Sequence, residues 1–235
     1  MLTASLWKCA TAEAIGTGML VAAVVGSGIM AERLSNGNIA IALLANTIAT
    51  GAALVALILT FGPISGAHFN PAVTLADATQ HGLPWRAVPT YILAQCIGAV
   101  TGALAAHGMF GLPIISLSTH IRSGPAQLFS EFIATFGLLA VIWGCSRTQI
   151  SSIPYAVGAY ITAAYWFTGS TSFANPAVTI ARSLTNTFAG IRPHDVFGFI
   201  FAQLAGAAAA TWLFRWLSPN ITANAKQIVV PTEQS

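Results

Sequence analysis

Long apolar stretches alternate with short polar ones along almost the whole chain. A transmembrane helix needs about 20 apolar residues to cross roughly 30 Å of hydrocarbon. Six stretches meet or approach that length, and we predict a membrane-spanning helix for each: Cys9–Met30, Ile39–Gly62, Ala87–Met109, Gln127–Cys145, Ile153–Thr168 and Asp195–Leu217. The fifth is short, so we expect it to begin before Pro154 or to continue toward Ser170.

Two further segments are apolar enough to enter a membrane but too interrupted to cross it. Residues 61–82 read FGPISGAHFNPAVTLADATQHG, and residues 169–190 read GSTSFANPAVTIARSLTNTFAG. Irregular backbone at membrane depth is tolerated where it lines a wet cavity or is covered by protein. These segments therefore predict a pore or a binding cavity.

The composition agrees with a chain that faces lipid. Hydrophobic residues make up 55% of the sequence and charged residues 6%, whereas a soluble domain carries about 25% charged residues. The formal net charge of +3 comes from scattered residues without a basic run. We expect a lipid bilayer around the protein and no nucleic-acid partner.

The chain also contains an internal repeat. Glu13 in the first span corresponds to Glu131 in the fourth, Gln95 in the third to Gln203 in the sixth, and Asn-Pro-Ala-Val-Thr occurs at 70–74 and 175–179. Three spans per repeat make the second repeat insert upside down relative to the first. We predict an all-α membrane protein, one channel domain over 1–235, with inverted repeats over approximately 8–110 and 126–217. Discontinuous helices in equivalent positions of such repeats mark a transport site.

Each Asn-Pro pair predicts the start of a short helix. Asn is a preferred N-cap, and proline suits the first helical turn, where its missing N–H costs nothing. Two half-helices of about 10 residues, each about 15 Å long at 1.5 Å per residue, would meet halfway across the membrane. Their N-termini concentrate partial positive charge there, which opposes the passage of cations. We expect the amides of Asn70 and Asn175 to donate to a passing oxygen, and the carbonyls of residues 65–68 and 170–173 to accept.

The run SGAHFNPAVT at 65–74 and the second Asn-Pro-Ala box resemble the aquaporin family, also called the major intrinsic proteins. The resemblance covers the chain from Glu13 to the sixth span. It implies six transmembrane helices plus two re-entrant half-helices, a homotetramer with one pore per subunit, and two pore motifs: Asn70, Pro71 and Ala72, with Asn175, Pro176 and Ala177. It also implies that Glu13 and Glu131 hold the re-entrant loops, and that His68 lines the inner pore.

The selectivity filter departs from the family pattern. The family places an arginine directly after the second Asn-Pro-Ala box, where this chain has Val178. The other filter positions correspond to Thr50, to Ser172, and to either Ile161 or Ala163, since counting back from Gly169 gives the first and from Asn175 the second. We therefore expect a filter without charge or ring that admits solutes larger than water. Arg182, four residues after Val178, lies on the same helix face and either lines the outer vestibule or has a capping or interface role.

This filter is similar to that of aquaglyceroporins encoded in bacterial arsenic-resistance operons. That resemblance implies passage of trivalent arsenic as its neutral hydroxide, and of methylated arsenicals or antimonite. The residues themselves indicate a passive channel for small neutral solutes such as glycerol and urea, with some water. A water-selective channel and an ion-coupled secondary transporter are the alternatives.

No arrangement of residues reads as catalytic, and we expect no enzyme activity, no cofactor and no metal site. The histidines have no spacing that places two on one helix face.

We expect the inner (plasma) membrane as the location. An even number of spans puts both termini on one side, and the resemblance to the aquaporin family implies that this side is the cytoplasm. The count of Lys and Arg residues agrees by a small margin, five against four: Lys8, Arg86, Arg147, Arg215 and Lys226 against Arg33, Arg122, Arg182 and Arg192.

Overall fold

The computed structural model describes residues 5–217, apart from the side chains of residues 147 and 148. Lys226 and the side chain of Arg147, which entered the charge comparison, lie outside the described residues, as do residues 1–4 and 218–235 of the predicted domain. Eight α-helices are described: α1 (Leu6–Leu34), α2 (Ile39–Ser65), α3 (Pro71–Thr79), α4 (Val88–Phe110), α5 (Pro125–Thr148), α6 (Ile153–Phe167), α7 (Pro176–Arg182) and α8 (Val196–Leu217).

The six predicted spans correspond to six of these helices, and the prediction of an all-α membrane fold is confirmed. Five are long and apolar enough to cross a membrane by themselves. The remaining helix, α6, corresponds to the fifth predicted span. It has 15 residues and is preceded by a 3-10 turn at Ile150–Ser152. Helix and turn together extend about 28 Å, so the fifth span does begin before Pro154. It does not continue toward Ser170, because α6 ends at Phe167.

The two repeats fold in the same way. In the first, α1 packs against α2 and α4; in the second, α5 packs against α6 and α8. A methyl group at Gly98 would overlap the carbonyl oxygen of Ala14, and one at Gly206 would overlap that of Phe132. Glycine at these two equivalent positions therefore lets the first and last long helix of each repeat touch backbone to backbone.

The short helices α3 and α7 meet at their N-termini and end at opposite faces of the bundle. At one face, the Thr79 carbonyl at the end of α3 accepts a hydrogen bond from Arg215 near the end of α8. At the other, Ser183 follows α7, and its carbonyl accepts from the backbone of Ser118 between α4 and α5. Cys9, near the start of α1, packs with Leu83 at the α3 face. Both described ends of the chain thus lie at that face.

Candidate functional site

The two Asn-Pro pairs begin the half-helices and join them. The Asn70 side-chain oxygen accepts a hydrogen bond from the Ala72 N–H at 2.9 Å, and that of Asn175 accepts from the Ala177 N–H at 3.0 Å. Each side-chain nitrogen donates across the junction: Asn70 to the Ala174 carbonyl and Asn175 to the Phe69 carbonyl, both at 2.7 Å. An amide nitrogen has two hydrogens, so one on each asparagine is left for a solute.

The loop before each half-helix is held by a buried glutamate of the same repeat. Glu13 accepts hydrogen bonds from the backbone N–H groups of His68 (3.0 Å) and Phe69 (2.7 Å). Its other donors are the side chains of Ser65 and Gln95. A carboxylate that accepts four hydrogen bonds can be kept inside a membrane protein, where an unpaired one is very costly.

Glu131 repeats this arrangement in the second half of the chain. It accepts from the N–H groups of Phe173 and Ala174, both at 2.9 Å, and from the side chains of Ser170 and Gln203. Both loops are therefore fixed against the long helices by the same set of donors.

The same backbone conformation recurs in the two loops. Ala67 and Phe69 have φ angles of 48° and 49°, and the equivalent Ser172 and Ala174 have 50° and 49°. A left-handed conformation at a residue other than glycine costs on the order of 1 kcal/mol or more. The hydrogen bonds to Glu13 and Glu131 hold the loops in this strained form.

The strained backbone leaves a set of carbonyl groups free. Within the described chain, no hydrogen bond reaches the carbonyls of residues 66–68 and 171–173. The carbonyls of Ser65 and Ser170, which we had included in the acceptor series, are occupied by the Tyr91 hydroxyl and by Arg122. The series is therefore three carbonyls on each side of the Asn70–Asn175 junction.

A cavity runs past this junction. One wall consists of the two loops with residues of α3 and α7, and it includes both asparagines and, except for Thr171, the residues whose carbonyls are free. The opposite wall consists mainly of apolar side chains of α1, α2, α5 and α6, such as Leu20, Leu54 and Val157, with the hydroxyl groups of Thr50 and Tyr165 among them. A solute thus meets hydrogen-bonding groups on one side and mainly hydrocarbon on the other.

Four of the predicted filter residues line this cavity: Thr50, Ile161, Ser172 and Val178. All four are buried, with exposed fractions between 2% and 7%. The fifth, Ala163, is exposed on the outer surface of α6 and does not line the cavity. The choice of Ala163 is wrong, because a residue two positions from Ile161 lies about 200° around a helix of 3.6 residues per turn.

Tyr165, which no sequence motif indicates, also lines the cavity. It lies four residues after Ile161 and so on the same face of α6, and its hydroxyl is 3.3 Å from Oγ1 of Thr50. The expectation of a constriction without a ring is therefore wrong. The i, i+4 spacing from Ile161 would have found Tyr165 once the inward face of α6 was known.

Arg182 is buried and lines the cavity one turn beyond Val178. Its Nε donates to the Ala189 carbonyl, and its guanidinium carbon lies 3.3 Å from the ring centre of Phe173. Arg122 packs near the same ring, at 5.0 Å, and donates to the carbonyls of Gly190 and Ser170. Burial lowers the pKa of Arg122 from its ordinary value, an effect that the charge of Glu131 opposes. Arg182 therefore agrees with both hypotheses for its role: it lines the cavity, as a vestibule residue would, and it contacts the neighbouring loop, as a capping or interface residue would.

His68 lines the cavity on the α3 side of the junction. Its Nδ1 lies 3.1 Å from the Thr74 hydroxyl, and its Nε2 lies 3.7 Å from Oδ2 of Asp77. Asp77 also lines the cavity and is buried. The sequence motif indicates His68 but not Asp77, whose position seven residues after Asn70 becomes informative once α3 is placed.

The model of the Major intrinsic protein family matches residues 1–151. The chain belongs to this family. It is 57% identical over 212 residues to Aquaglyceroporin AqpS of Rhizobium meliloti (strain 1021), with 90% of this chain and 91% of that protein covered. It is 34% identical over 247 residues to Probable aquaporin AqpM of Archaeoglobus fulgidus, covering 92% and 99% of the two chains.

The fold agrees with a solved member of the family. The X-ray structure of the aquaglyceroporin from Plasmodium falciparum superposes with a TM-score of 0.65 and 22% sequence identity, covering 93% of this chain and 100% of that one. Together with the apolar spanning helices, membership of the major intrinsic protein family makes the chain an integral membrane channel and not an enzyme.

Proposed function

We propose that this major intrinsic protein is a passive channel for small neutral solutes, with glycerol as the first candidate and some permeability to water. The position directly after the second Asn-Pro-Ala box carries the proposal. Val178 occupies it, and Thr50, Ser172 and Ile161, which we assign to the same filter, also line the cavity. These side chains leave more room than an arginine and a bulky aromatic ring would. The name Aquaglyceroporin of the relative at 57% identity supports this choice.

The hydrogen-bonding wall explains why neutral polyols suit such a pore. A solute with several hydroxyls can donate to the free carbonyls of residues 66–68 and 171–173 and accept from Asn70 and Asn175. Its carbon atoms meanwhile contact the apolar wall. An ion would lose its hydration shell without equivalent replacement.

Metalloid hydroxides share this chemistry. Arsenite at neutral pH is an uncharged trihydroxide, comparable with glycerol in hydroxyl count. We include arsenite, urea and methylated arsenicals among the proposed solutes.

We also propose a homotetramer in the inner (plasma) membrane with cytoplasmic termini. We assign the pore to the two Asn-Pro-Ala boxes and the filter to Thr50, Ile161, Ser172 and Val178.

A water-selective channel is the second candidate, and one observation favours it. Arg182 and Tyr165 line the cavity close to Val178 and Thr50. A guanidinium and a ring at this level narrow the pore, even though neither residue occupies the family's usual filter position. The residues that discriminate solutes by size would then lie one helical turn beyond Val178, toward the face of the bundle at which α7 ends.

Stopped-flow swelling of proteoliposomes separates the two candidates. The purified chain is reconstituted and exposed to inward-directed gradients of glycerol, urea or arsenite, with and without a proton gradient. Rapid entry of glycerol that is independent of the proton gradient supports the neutral-solute channel. Fast water flux without glycerol entry supports the water-selective one.

A further inference from the structure

The two half-helices end in opposite charges at equivalent positions. Asp77 lies seven residues after Asn70 and Arg182 lies seven residues after Asn175, in NPAVTLAD and NPAVTIAR. Both side chains are buried, with exposed fractions of 3% and 2%, and both line the cavity. Because α3 and α7 end at opposite faces of the bundle, the cavity has a carboxylate toward one mouth and a guanidinium toward the other.

Neither charge is neutralised by an oppositely charged partner of fixed charge. Among the described residues, the recorded ion pairs are Arg192 with Asp195 and His68 with Asp77, so no carboxylate contacts Arg182. Within the same residues, Oδ1 of Asp77 has no hydrogen-bond partner, although the carboxyl group accepts a hydrogen bond from the backbone of Leu83. Buried charges are normally paired, and side chains of this kind inside membrane proteins typically mark a permeation path.

The sign of each charge indicates which ions it repels. The N-termini of both half-helices make the centre of the pore positive, and Arg182 adds a full positive charge toward the α7 face. Such a pore repels cations but attracts small anions, and a filter wide enough for glycerol does not exclude them by size. Asp77 is the one carboxylate among the described residues that line the cavity.

We propose that Asp77 is the anion barrier of this pore, acting in series with Arg182, which strengthens the barrier to cations. An anion attracted by the centre meets the Asp77 carboxylate near one mouth, and a cation meets Arg182 near the other. Neutral solutes pass both. The inference rests on the proposed neutral-solute channel and explains how a wide pore without the usual filter arginine still rejects ions of both signs.

His68 does not change the direction of the effect. Its Nε2 is 3.7 Å from the Asp77 carboxylate, so a protonated His68 offsets that charge and a neutral one leaves it in place. The effect requires the ionised form of Asp77, so the measurements are made at alkaline pH. In either state of His68, replacing that carboxylate by Asn then makes this mouth one unit more positive and therefore more attractive to anions.

The test measures ion current and solute flux on the same reconstituted protein. Planar bilayers under a potassium chloride gradient give conductance and reversal potential, and stopped-flow water and glycerol flux give the number of working pores. We expect no measurable conductance in the wild type. Asp77→Asn should raise the chloride conductance per working pore to roughly tenfold or more above the detection limit that bounds the wild type, as expected when a charge a few ångströms from the path is removed.

Three further variants make the result specific. Asp77→Glu keeps the charge and should stay non-conducting, and the double variant Asp77→Asn with Arg182→Gln should carry less chloride than Asp77→Asn alone. Glu32→Gln removes the same charge from an exposed position outside the cavity lining and should behave as the wild type. Asp77→Ser removes the charge with a smaller side chain and replaces Asp77→Asn if that variant does not assemble.

Normal water flux without chloride current in the uncharged Asp77 variants overturns the inference. A cation-selective current in those variants overturns it as well. Failure of the proposed function is seen separately, as a wild-type pore that conducts water but excludes glycerol, urea and arsenite.

Discussion

The Tyr165 hydroxyl lies 3.3 Å from Oγ1 of Thr50, and this contact joins α6 to α2 at the level of the proposed filter. Thr50 is small where the family commonly has a bulky aromatic, whereas Tyr165 supplies a ring from the neighbouring helix. Both side chains therefore line the cavity together at this point, and the ring of Tyr165 occupies part of the space that the small Thr50 leaves.

Enlarging Thr50 should narrow the pore without adding charge. We expect Thr50→Phe and Thr50→Trp to reduce glycerol and arsenite flux much more than water flux, because the added ring lies beside Tyr165. Thr50→Val is the matched control, since it keeps the shape and removes only the hydroxyl, and it should leave the glycerol-to-water ratio almost unchanged. Stopped-flow swelling at equal protein density measures each ratio, and an equal ratio in all four proteins would show that this level does not select solutes.

Introducing an arginine at Val178 combines bulk with charge. We expect Val178→Arg to lower glycerol flux by at least about tenfold, equivalent to a barrier increase near 1.4 kcal/mol, while water flux falls less. Val178→Leu adds bulk alone and should have a smaller effect. If both variants transport glycerol as the wild type does, the constriction lies elsewhere, and Arg182→Ala would be the next variant to measure.

The junction of the half-helices should exclude cations even without the filter arginine. We expect Asn70→Asp and Asn175→Asp to admit potassium, because a negative charge about 4 Å from the path changes a cation's energy by roughly 4 kcal/mol at an effective dielectric constant of 20. Asn38→Asp is the control: this exposed residue caps α2 by accepting from the Ile41 N–H, and aspartate can do the same. Bilayer conductance measures the effect, and ohmic current through the wild type would contradict the premise.

The buried glutamates should contribute strongly to stability. Glu131→Gln replaces a carboxylate that accepts four hydrogen bonds by an amide with one acceptor oxygen. We expect a loss of about 3 kcal/mol, because buried donors of the loop lose charged acceptors, and a lower melting temperature in detergent. Glu13→Gln should behave alike, and Glu32→Gln, at an exposed position, should not. Melting temperatures within a degree of one another would show that the loops do not depend on these carboxylates.

Much of the architecture follows from local sequence. Apolar length predicts the spanning helices within a few residues, and Asn-Pro pairs predict the starts of α3 and α7 because an N-cap and a first-turn proline act within a few residues of the chain. The repeat relates Glu13 to Glu131 and implies the inverted arrangement before any contact is known.

The details of the cavity wall depend on how separate helices are rotated and shifted against each other. A strongly apolar helix such as α6 shows no clear polar face, so the sequence left Ile161 and Ala163 as equal choices and hid Tyr165. Packing of α6 against α2 turns Ile161 and Tyr165 inward and Ala163 outward. Likewise, the sequence shows Asp77 and Arg182 at equivalent positions, but only the head-to-head meeting of α3 and α7 puts the two charges in one cavity, because that meeting depends on hydrogen bonds between residues about a hundred positions apart.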